Sequence, residues 1–190
     1  MTTRLIISWA KLVLFVIVAV GSNWLPLEAK SPTLAESKPI NQTQGFDAEE
    51  VLWLARAVRS ETDRSTQGEM VKVACVIRNR VATNYRGAQT YKDVILDRGQ
   101  FSGFSKLDAN YKRNMSLGYS DAGAIWQDAI RVAELVYKDG SLVCDFPQTV
   151  RHFYSPVSAQ NTPEWAKGKE PVLTIKDKTS TRFAFYSNIK

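Results

Sequence analysis

Residues 46–81, FDAEEVLWLARAVRSETDRSTQGEMVKVACVIRNRV, predict two consecutive amphipathic helices on which the rest of the chain can pack. Asp47 and Glu50 stand three apart at the start, a spacing typical of a helix N-terminus with a reciprocal acidic partner. The second helix has a similar start at Thr66 and Glu69. The apolar positions that recur at helical spacing are Val51, Leu54, Ala55 and Val58 in the first helix and Met70, Val73, Ala74, Ile77 and Val81 in the second.

Glu61 occupies the next position of the first apolar stripe, where the pattern leads us to expect an apolar side chain. Residues 63–66 are typical of a turn, so Glu61 is expected at its helix end, where a core face opens onto a cleft. Desolvation there would raise the pKa of the carboxyl group, as a general acid at neutral pH requires. The alternative is a solvated glutamate on a helix end that turns away from the core.

The composition indicates one globular domain with an appendage. The chain has 190 residues, of which 44% are hydrophobic, so it can bury a core. Its formal net charge of +6 favours anionic surroundings such as nucleic acid, anionic lipid or bacterial cell wall. The basic residues are scattered, which argues against a nucleic-acid partner.

Residues 1–29 are typical of an export signal, because Arg4 and Lys11 precede an apolar run at residues 12–20. This run is shorter than the ~20 residues that a membrane span needs. The residues before Lys11 can lengthen it, so an uncleaved membrane anchor through residues 5–20 is the alternative. In either case the domain is expected outside the cytoplasm.

Residues 30–45 are polar and contain proline, and we predict a flexible linker there, which leaves residues 46–190 as the folded domain. In an exported protein Cys75 and Cys144 can form a disulfide. Two separate buried thiols remain the other interpretation, because Cys75 lies in an apolar helix.

Two further helices are predicted after residue 81. Thr90 and Asp93 form the expected cap of a short helix over residues 90–96. A longer helix is expected to begin at Ser120 or Asp121 and to stop at Gly140.

The chain beyond residue 140 is rich in β-forming residues. Strands are predicted at residues 150–154, 172–175 and 182–186, the last two flanking a polar turn. Helices first and a small antiparallel sheet toward the C-terminus predict an α+β fold.

The segment Gln100-Phe101-Ser102-Gly103-Phe104 is predicted to be a loop with two aromatic rings, an amide and a hydroxyl. Such side chains line sugar-binding clefts, and functional residues are frequent in loops of this kind. The alternative for Phe101 is a ring that fills the core.

Several kinds of catalytic chemistry are disfavoured. His152 is the only histidine, and no set of Cys or carboxylates has metal-ligand spacing, so we predict neither a metal site nor a cofactor. A Cys–His hydrolase would need an activated thiolate, whereas Cys75 lies well inside an apolar helix. The remaining chemistry is that of carboxylates, which break glycosidic bonds.

Hydrolysis of a glycosidic bond normally takes two carboxylates. Asp63 would point away from Glu61 on a continued helix, and Asp93, Asp97 and Asp108 lie at unknown distances. A lytic transglycosylase needs one, because a single group protonates the leaving oxygen and then takes the proton of the muramoyl 6-hydroxyl.

The chain resembles the bacterial cell-wall hydrolases typified by spore-cortex-lytic enzymes over most of residues 51–186. The motifs that carry the resemblance are Ala57-Val-Arg-Ser-Glu61-Thr, Val73-Ala74, Val76-Ile-Arg-Asn-Arg-Val81, Asp93-Val-Ile95, Gln100-Phe-Ser102, Phe153-Tyr-Ser-Pro156, Pro163 to Trp165 and Arg182-Phe-Ala-Phe-Tyr186. Their order and spacing together are specific, although each alone is weak.

The resemblance implies a lysozyme-like α+β domain that cleaves the glycan strand of peptidoglycan, with Glu61 as catalytic acid and base. It implies that substrate is bound by Gln100, Phe101, Ser102 and Tyr154. It also implies structural support from Arg78, Asn79, Trp165 and Tyr186.

The leading hypothesis is therefore an exported, monomeric peptidoglycan lytic transglycosylase or muramidase whose partner is the glycan strand. The second hypothesis is a non-catalytic wall-binding or scaffolding protein with the same fold. Its support is the segment Thr62-Asp63-Arg64-Ser65, which differs from the pattern of the family after the glutamate.

Overall fold

The two helices predicted from residues 46–81 are present in the computed structural model as α1 (Ala48–Glu61) and α2 (Gln67–Ala82). The structure describes residues 45–62 and 66–189, which belong to one compact unit. The predicted export signal, almost all of the predicted linker and residues 63–65 of the predicted turn lie outside the described residues.

The capping residues of both helices were predicted, but one partner differs. Thr66 and Glu69 form the capping box of α2. Asp47 caps α1 by accepting hydrogen bonds from the backbone N–H groups of Glu49 and Glu50. The carboxylate of Glu50 does not return to Asp47; its Oε2 accepts from the backbone N–H of Tyr91 at 2.5 Å, because Glu50 lies against the start of the next helix.

Three more helices follow: α3 (Tyr91–Leu96), α4 (Tyr111–Ser116) and α5 (Ala124–Val143). The predicted cap of α3 by Thr90 and Asp93 is confirmed, whereas α4 was not predicted. Short 3-10 turns lie at Tyr85–Gly87, Ser102–Phe104 and Glu164–Ala166.

The predicted start of α5 was wrong, whereas its predicted stop lies next to an interruption of the helix. The helix begins after Gly123, and Asp121 instead accepts from the backbone N–H of Gly118. The backbone of Asp139 is non-helical, with φ −120° and ψ 21°, one residue before the predicted stop at Gly140, and helical structure resumes as far as Val143. A Cβ atom at position 140 would lie 2.2 Å from Nε of Arg78 on α2, so any larger residue would require the Arg78 side chain to move.

The C-terminal sheet has three antiparallel strands, β1 (Val150–Tyr154), β2 (Leu173–Lys176) and β3 (Thr181–Ser187), in the order β1-β3-β2. This confirms the predicted α+β class. His152 pairs with Tyr186 and Phe153 with Phe185 in the register of β1 and β3. Because side chains alternate along a strand, the rings of Phe153 and Phe185 face the helical core and those of His152 and Tyr186 face away from it.

Helix α2 lies at the centre of the fold, between α1, α5 and β1. Met70, Val73, Val76 and Ile77 are almost completely removed from solvent, and burial of each such side chain stabilises the fold by roughly 1.5–3 kcal/mol. A disulfide between Cys75 of α2 and Cys144 at the end of α5 settles the interpretation that the sequence left open. In the described part of the chain, no helix is long and apolar enough to cross a membrane.

Reduction of the disulfide is expected to lower the free energy of unfolding by up to about 4 kcal/mol. The bridge joins residues 69 positions apart, so its loss restores conformational freedom to the unfolded chain. Urea unfolding of the oxidised and reduced protein measures the change. The Cys144→Ala variant provides a control, because it should have the stability of the reduced protein and should not respond to reductant; equal stability of the oxidised and reduced wild type would contradict the prediction.

Candidate active site

Glu61 is the last residue of α1, as the sequence predicts. The chain is fixed immediately after it, because Thr62 is fully buried and its hydroxyl donates to the carbonyl of Val58 at 2.5 Å. The backbone N–H of Thr62 donates to the same carbonyl at 3.0 Å. The side chain of Glu61 is thereby held at the helix end, surrounded by protein but with part of its surface open to solvent.

Burial raises the pKa of Glu61 to about 7, because a carboxylate loses hydration when protein surrounds it. The positive charge of Arg80 opposes this rise, and the negative charge of Asp108 adds to it. The C-terminal end of a helix carries a partial negative charge, which also disfavours an ionised carboxylate. Glu61 therefore holds or releases a proton near neutral pH, as a general acid and base must.

Arg80 is the buried cation whose charge acts on Glu61. Its Nε–H donates to the carbonyl of Arg151 on β1 at 2.7 Å. Its guanidinium lies over the rings of Phe101, at 5.3 Å, and Tyr85, at 5.8 Å. Burial lowers the pKa of Arg80 to about 10, so the group remains charged at neutral pH.

No role of its own was predicted for Arg80 from the sequence. The sequence nevertheless contains a signal that Arg80 is buried. Arg80 lies three residues after Ile77 and four after Val76, on the buried stripe of α2. Glu61 breaks the stripe of α1 in the same way. Two opposite charges on facing apolar stripes indicate a functional pair more strongly than either does alone.

The loop at residues 100–104 is attached directly to the residue before Glu61. Asn114 on α4 is buried, and its amide donates to the hydroxyl of Ser60 at 3.2 Å and to the carbonyl of Gly103 at 2.9 Å. A Cβ atom on Gly103 would lie 2.2 Å from Oγ of Ser60, so a larger residue would force the Ser60 side chain to move. The end of α1, the loop and α4 are therefore one packed unit, which positions the loop beside Glu61.

The predicted substrate-binding residues of this loop have different exposures. Ser102 is exposed and Gln100 is half-buried, so both can meet a ligand. Phe101 and Phe104 are both buried, so Phe101 follows the alternative of a ring that fills the core. Phe101 packs under the guanidinium of Arg80. Its role in binding substrate stays a prediction. A buried Phe101 would have to affect substrate through Arg80.

A cluster of aromatic side chains extends from Arg80 across the outer face of the sheet. The hydroxyl of Tyr85 lies 3.0 Å from Nε2 of His152, and the imidazole packs on Trp165 with ring centres 5.2 Å apart. Tyr154 and Tyr186 stack at 6.0 Å, and Trp165 meets both rings edge-on. Tyr154 and Trp165 remain half-buried, which leaves ring surface for a sugar.

His152 is neutral at physiological pH. Burial lowers its pKa to about 4, and the positive charges of Arg80, Arg151 and Lys169 act in the same direction.

Arg78 and Asn79, predicted as supports, contact neighbouring elements instead of Glu61. The amide of Asn79 donates to the carbonyls of Pro147, at 3.1 Å, and Val150, at 3.0 Å, and so joins α2 to β1. Arg78 packs against Gly140 of α5. Their supporting role was not tested and stays a prediction.

Of the aspartates considered as a second carboxylate, Asp108 is the one whose charge acts on Glu61. Asp93 is used in the cap of α3, and Asp97 pairs with Arg86. Asp63 lies outside the described residues. Within residues 45–62 and 66–189, no group of three or more His, Cys, Asp or Glu side chains is arranged to hold a metal ion.

Two surface cavities of about 310 and 350 Å³ lie elsewhere, one beside Asp93 and Asp97 and one beside Asp47 and Tyr137. Neither is lined by Glu61. The candidate site is therefore defined by Glu61 and its charged and aromatic neighbours.

A protein-family model described as Cell Wall Hydrolase matches residues 64–181. The matched segment includes Arg80, the loop at residues 100–104 and strands β1 and β2, and it begins three residues after Glu61. Neither the curated proteins nor the solved structures include a significant match to the chain.

Replacing Glu61 by Gln is expected to stabilise the protein at high pH and not at low pH. The folded protein keeps the proton on Glu61 up to about pH 7, whereas the unfolded chain loses it near 4.5, so wild-type stability falls between these values. Above pH 7 the variant should be more stable by up to about 3 kcal/mol, less where water reaches the carboxyl group. The difference should vanish below pH 4.5.

Urea unfolding of wild type and Glu61→Gln between pH 4 and 8 measures this effect. Glu49→Gln is the matched control, because it removes an exposed carboxylate from the same helix. A stability difference between wild type and Glu61→Gln that does not change with pH would contradict the raised pKa.

Proposed function

The chain belongs to the cell wall hydrolase family, and we propose that it cleaves the glycan strand of peptidoglycan as a lytic transglycosylase, with Glu61 as acid and base. Membership of this family makes the protein an enzyme that acts on the bacterial cell wall, and it suggests a location outside the cytoplasm. The bond proposed to break joins N-acetylmuramoyl to N-acetylglucosamine units.

The observation that carries the proposal is the single carboxyl group of Glu61, with its pKa raised to about 7 at a fixed helix end. A general acid must hold a proton at the working pH and still release it in the transition state, so a pKa near neutrality is favourable. An ordinary solvated glutamate would be almost completely ionised at pH 7.

In the first step, protonated Glu61 donates its proton to the oxygen that links the two sugars, and the bond from this oxygen to the muramoyl C1 breaks. The muramoyl ring develops positive charge, as in other glycosidic cleavages. Glu61 is left as a carboxylate, and the guanidinium of Arg80 stabilises the negative charge that has appeared.

In the second step, the carboxylate of Glu61 takes the proton of the muramoyl 6-hydroxyl while the oxygen of this group forms a bond to C1. The product is a 1,6-anhydro sugar, and the proton is back on Glu61. No water is consumed, so one carboxyl group is sufficient for both steps. Burial favours this return because it raises the pKa of Glu61, whereas Arg80 lowers that pKa and so favours the donation in the first step.

The strand is proposed to lie along Gln100, Ser102, Tyr154 and Trp165. Gln100 and Ser102 offer an amide and a hydroxyl on a loop that Asn114 ties to Ser60. The half-buried rings of Tyr154 and Trp165 offer apolar faces to sugar rings. Trp165 and Tyr186 also hold Tyr154 in place through ring contacts.

Hydrolysis by a muramidase is the second candidate, and Asp108 is the observation that favours it. Asp108 is half-exposed and acts electrostatically on Glu61, so it is a candidate for the base that a hydrolase uses to activate water. Hydrolysis would require Asp108 as a base, whereas the transglycosylase reaction would not. The two reactions also leave different products.

The Glu61→Gln variant is expected to lose at least ~100-fold in the rate of muropeptide release, because the amide keeps the shape but cannot donate or accept the catalytic proton. Release from purified sacculi measures the rate, with thermal unfolding as the check of folding.

Mass analysis of wild-type products should show anhydro-muramic ends ~18 Da lighter than hydrolysed ends. Wild-type release by the variant would contradict the role of Glu61, and binding of sacculi without release by wild type would favour a scaffolding protein.

The Asp108→Asn variant is expected to stay active with a changed pH profile. The charge of Asp108 raises the pKa of Glu61, so its removal lowers this pKa, and the fall of activity at alkaline pH should move to lower pH. The asparagine keeps the oxygen that accepts from the backbone N–H of Asn110. Asp177→Asn, at the turn between β2 and β3, is the control and should keep the wild-type profile. Complete loss of activity in Asp108→Asn would contradict the transglycosylase and support a hydrolase.

A further inference from the structure

Three buried nitrogen atoms without a hydrogen-bond partner lie together beside the proposed site. They are Nη1 of Arg80, Nε of Arg151 and Nδ1 of His152, and they account for all but one of the unpartnered buried side-chain polar atoms in the described residues. Arg80 and His152 are more than nine-tenths buried. An unpartnered buried donor costs roughly 1–3 kcal/mol, so such a group calls for an acceptor that the chain itself does not supply.

The same cluster holds an excess of positive charge. Arg80, Arg151 and Lys169 all act electrostatically on His152, which is itself uncharged. Within the described ranges, none of these three cations has a carboxylate at ion-pair distance. Other cations of the same region do, because Lys167 pairs with Glu164 and Arg86 with Asp97.

Part of the cluster can be reached from solvent. Arg151 is half-buried and Lys169 is exposed, whereas Arg80 is buried. The guanidinium of Arg151 stacks on the ring of Tyr85 at 4.8 Å, which fixes its orientation. The nearby Glu170 acts on Tyr186 and does not form an ion pair with any of the three cations in the described residues.

A carboxylate is the acceptor that this arrangement fits best. A guanidinium donates two parallel hydrogen bonds to a carboxylate, and Lys169 can add a charge from the solvent side. A neutral sugar hydroxyl or amide would leave the positive charge uncompensated. The aromatic faces of Trp165 and Tyr154 next to His152 provide the apolar surface for the sugar that carries the acid.

We propose that Arg151 and Lys169, with Arg80 beneath them, bind a carboxylate of the glycan strand, such as the lactyl carboxylate of an N-acetylmuramic acid unit. The proposal rests on the proposed function, because it makes the glycan strand the ligand. It defines the preferred substrate as a strand with free carboxylates near the cleavage point, in contrast to one in which these groups are blocked as neutral amides.

The first test is binding, which does not depend on catalysis. N-acetylmuramic acid, its neutral methylamide and N-acetylglucosamine are titrated into the purified wild-type protein, and chemical shifts are followed by NMR. The acid should bind at least ~5-fold more tightly than either neutral sugar, a difference typical of one charge-assisted contact. Arg151→Gln and Lys169→Gln should each reduce this preference for the acid.

Lys167→Gln is the matched control, because it removes an exposed lysine from the same segment whose charge is already paired with Glu164. It should keep the preference for the acid. Equal binding of the acid and the methylamide would overturn the proposal, as would a preference that persists in both Arg151→Gln and Lys169→Gln. In that case the unpartnered donors are satisfied by water only.

The second test separates this proposal from the proposed function. Wild-type protein is incubated with sacculi from which the stem peptides have been removed, so that the lactyl carboxylates are free, and with the same sacculi after these carboxylates have been converted to methylamides. Release from the unmodified stripped sacculi that falls several-fold on amidation supports both proposals. Equal release from the two substrates overturns the carboxylate site and leaves the glycan-cleaving function standing. Release from neither overturns the proposed function, and the NMR titration then decides the carboxylate site alone.

Discussion

Helix α2 carries Glu69, Asn79 and Arg80 into the interior, and these polar side chains must find hydrogen-bond partners there. The carboxylate of Glu69 accepts from Arg182 of β3 at 2.7 Å, and Asn79 and Arg80 donate to backbone carbonyls around β1. An unpartnered group of this kind would cost roughly 1–3 kcal/mol. The small C-terminal sheet is therefore positioned by the ends of an otherwise apolar helix, and the aromatic face of the sheet is placed next to Arg80 as a result.

Burial and the charge of Arg80 on α2 together determine the protonation of Glu61. Glu61 and Arg80 both lie on stripes that are otherwise apolar, but within the described residues they do not approach to ion-pair distance. A close pair would hold Glu61 ionised at all relevant pH values. At the greater separation, desolvation prevails over attraction and the pKa of Glu61 comes to about 7. Without a close ion pair, the glutamate can act as a proton donor and is not held as a structural anion.

The sequence predicted the features that depend on local periodicity, such as α1, α2, the cap of α3 and the α+β order. It failed where the role of a residue depends on a distant one. Gly140 has the signal of a helix stop, and the helix is interrupted at Asp139, but no local pattern showed that the Arg78 side chain, 62 positions away, packs against it. Phe104 was expected on a substrate-binding loop, yet its ring is buried against Trp53. For Phe101 the sequence left a buried ring as the alternative, and its contact with the distant Arg80 decides for that alternative. The place of Asp108 beside Glu61 depends likewise on tertiary packing that no spacing in the chain encodes.

The contact of Gly103 with Ser60 and Asn114 has a consequence for how such an enzyme can diverge. A side chain at position 103 would require Oγ of Ser60 and the amide of Asn114 to shift, and these two groups hydrogen-bond to each other next to Glu61. On the same loop, Gln100 is half-buried and Ser102 is exposed. Changes in sugar preference are therefore easier to acquire at these two positions, whereas a change at position 103 also disturbs residues 60 and 114.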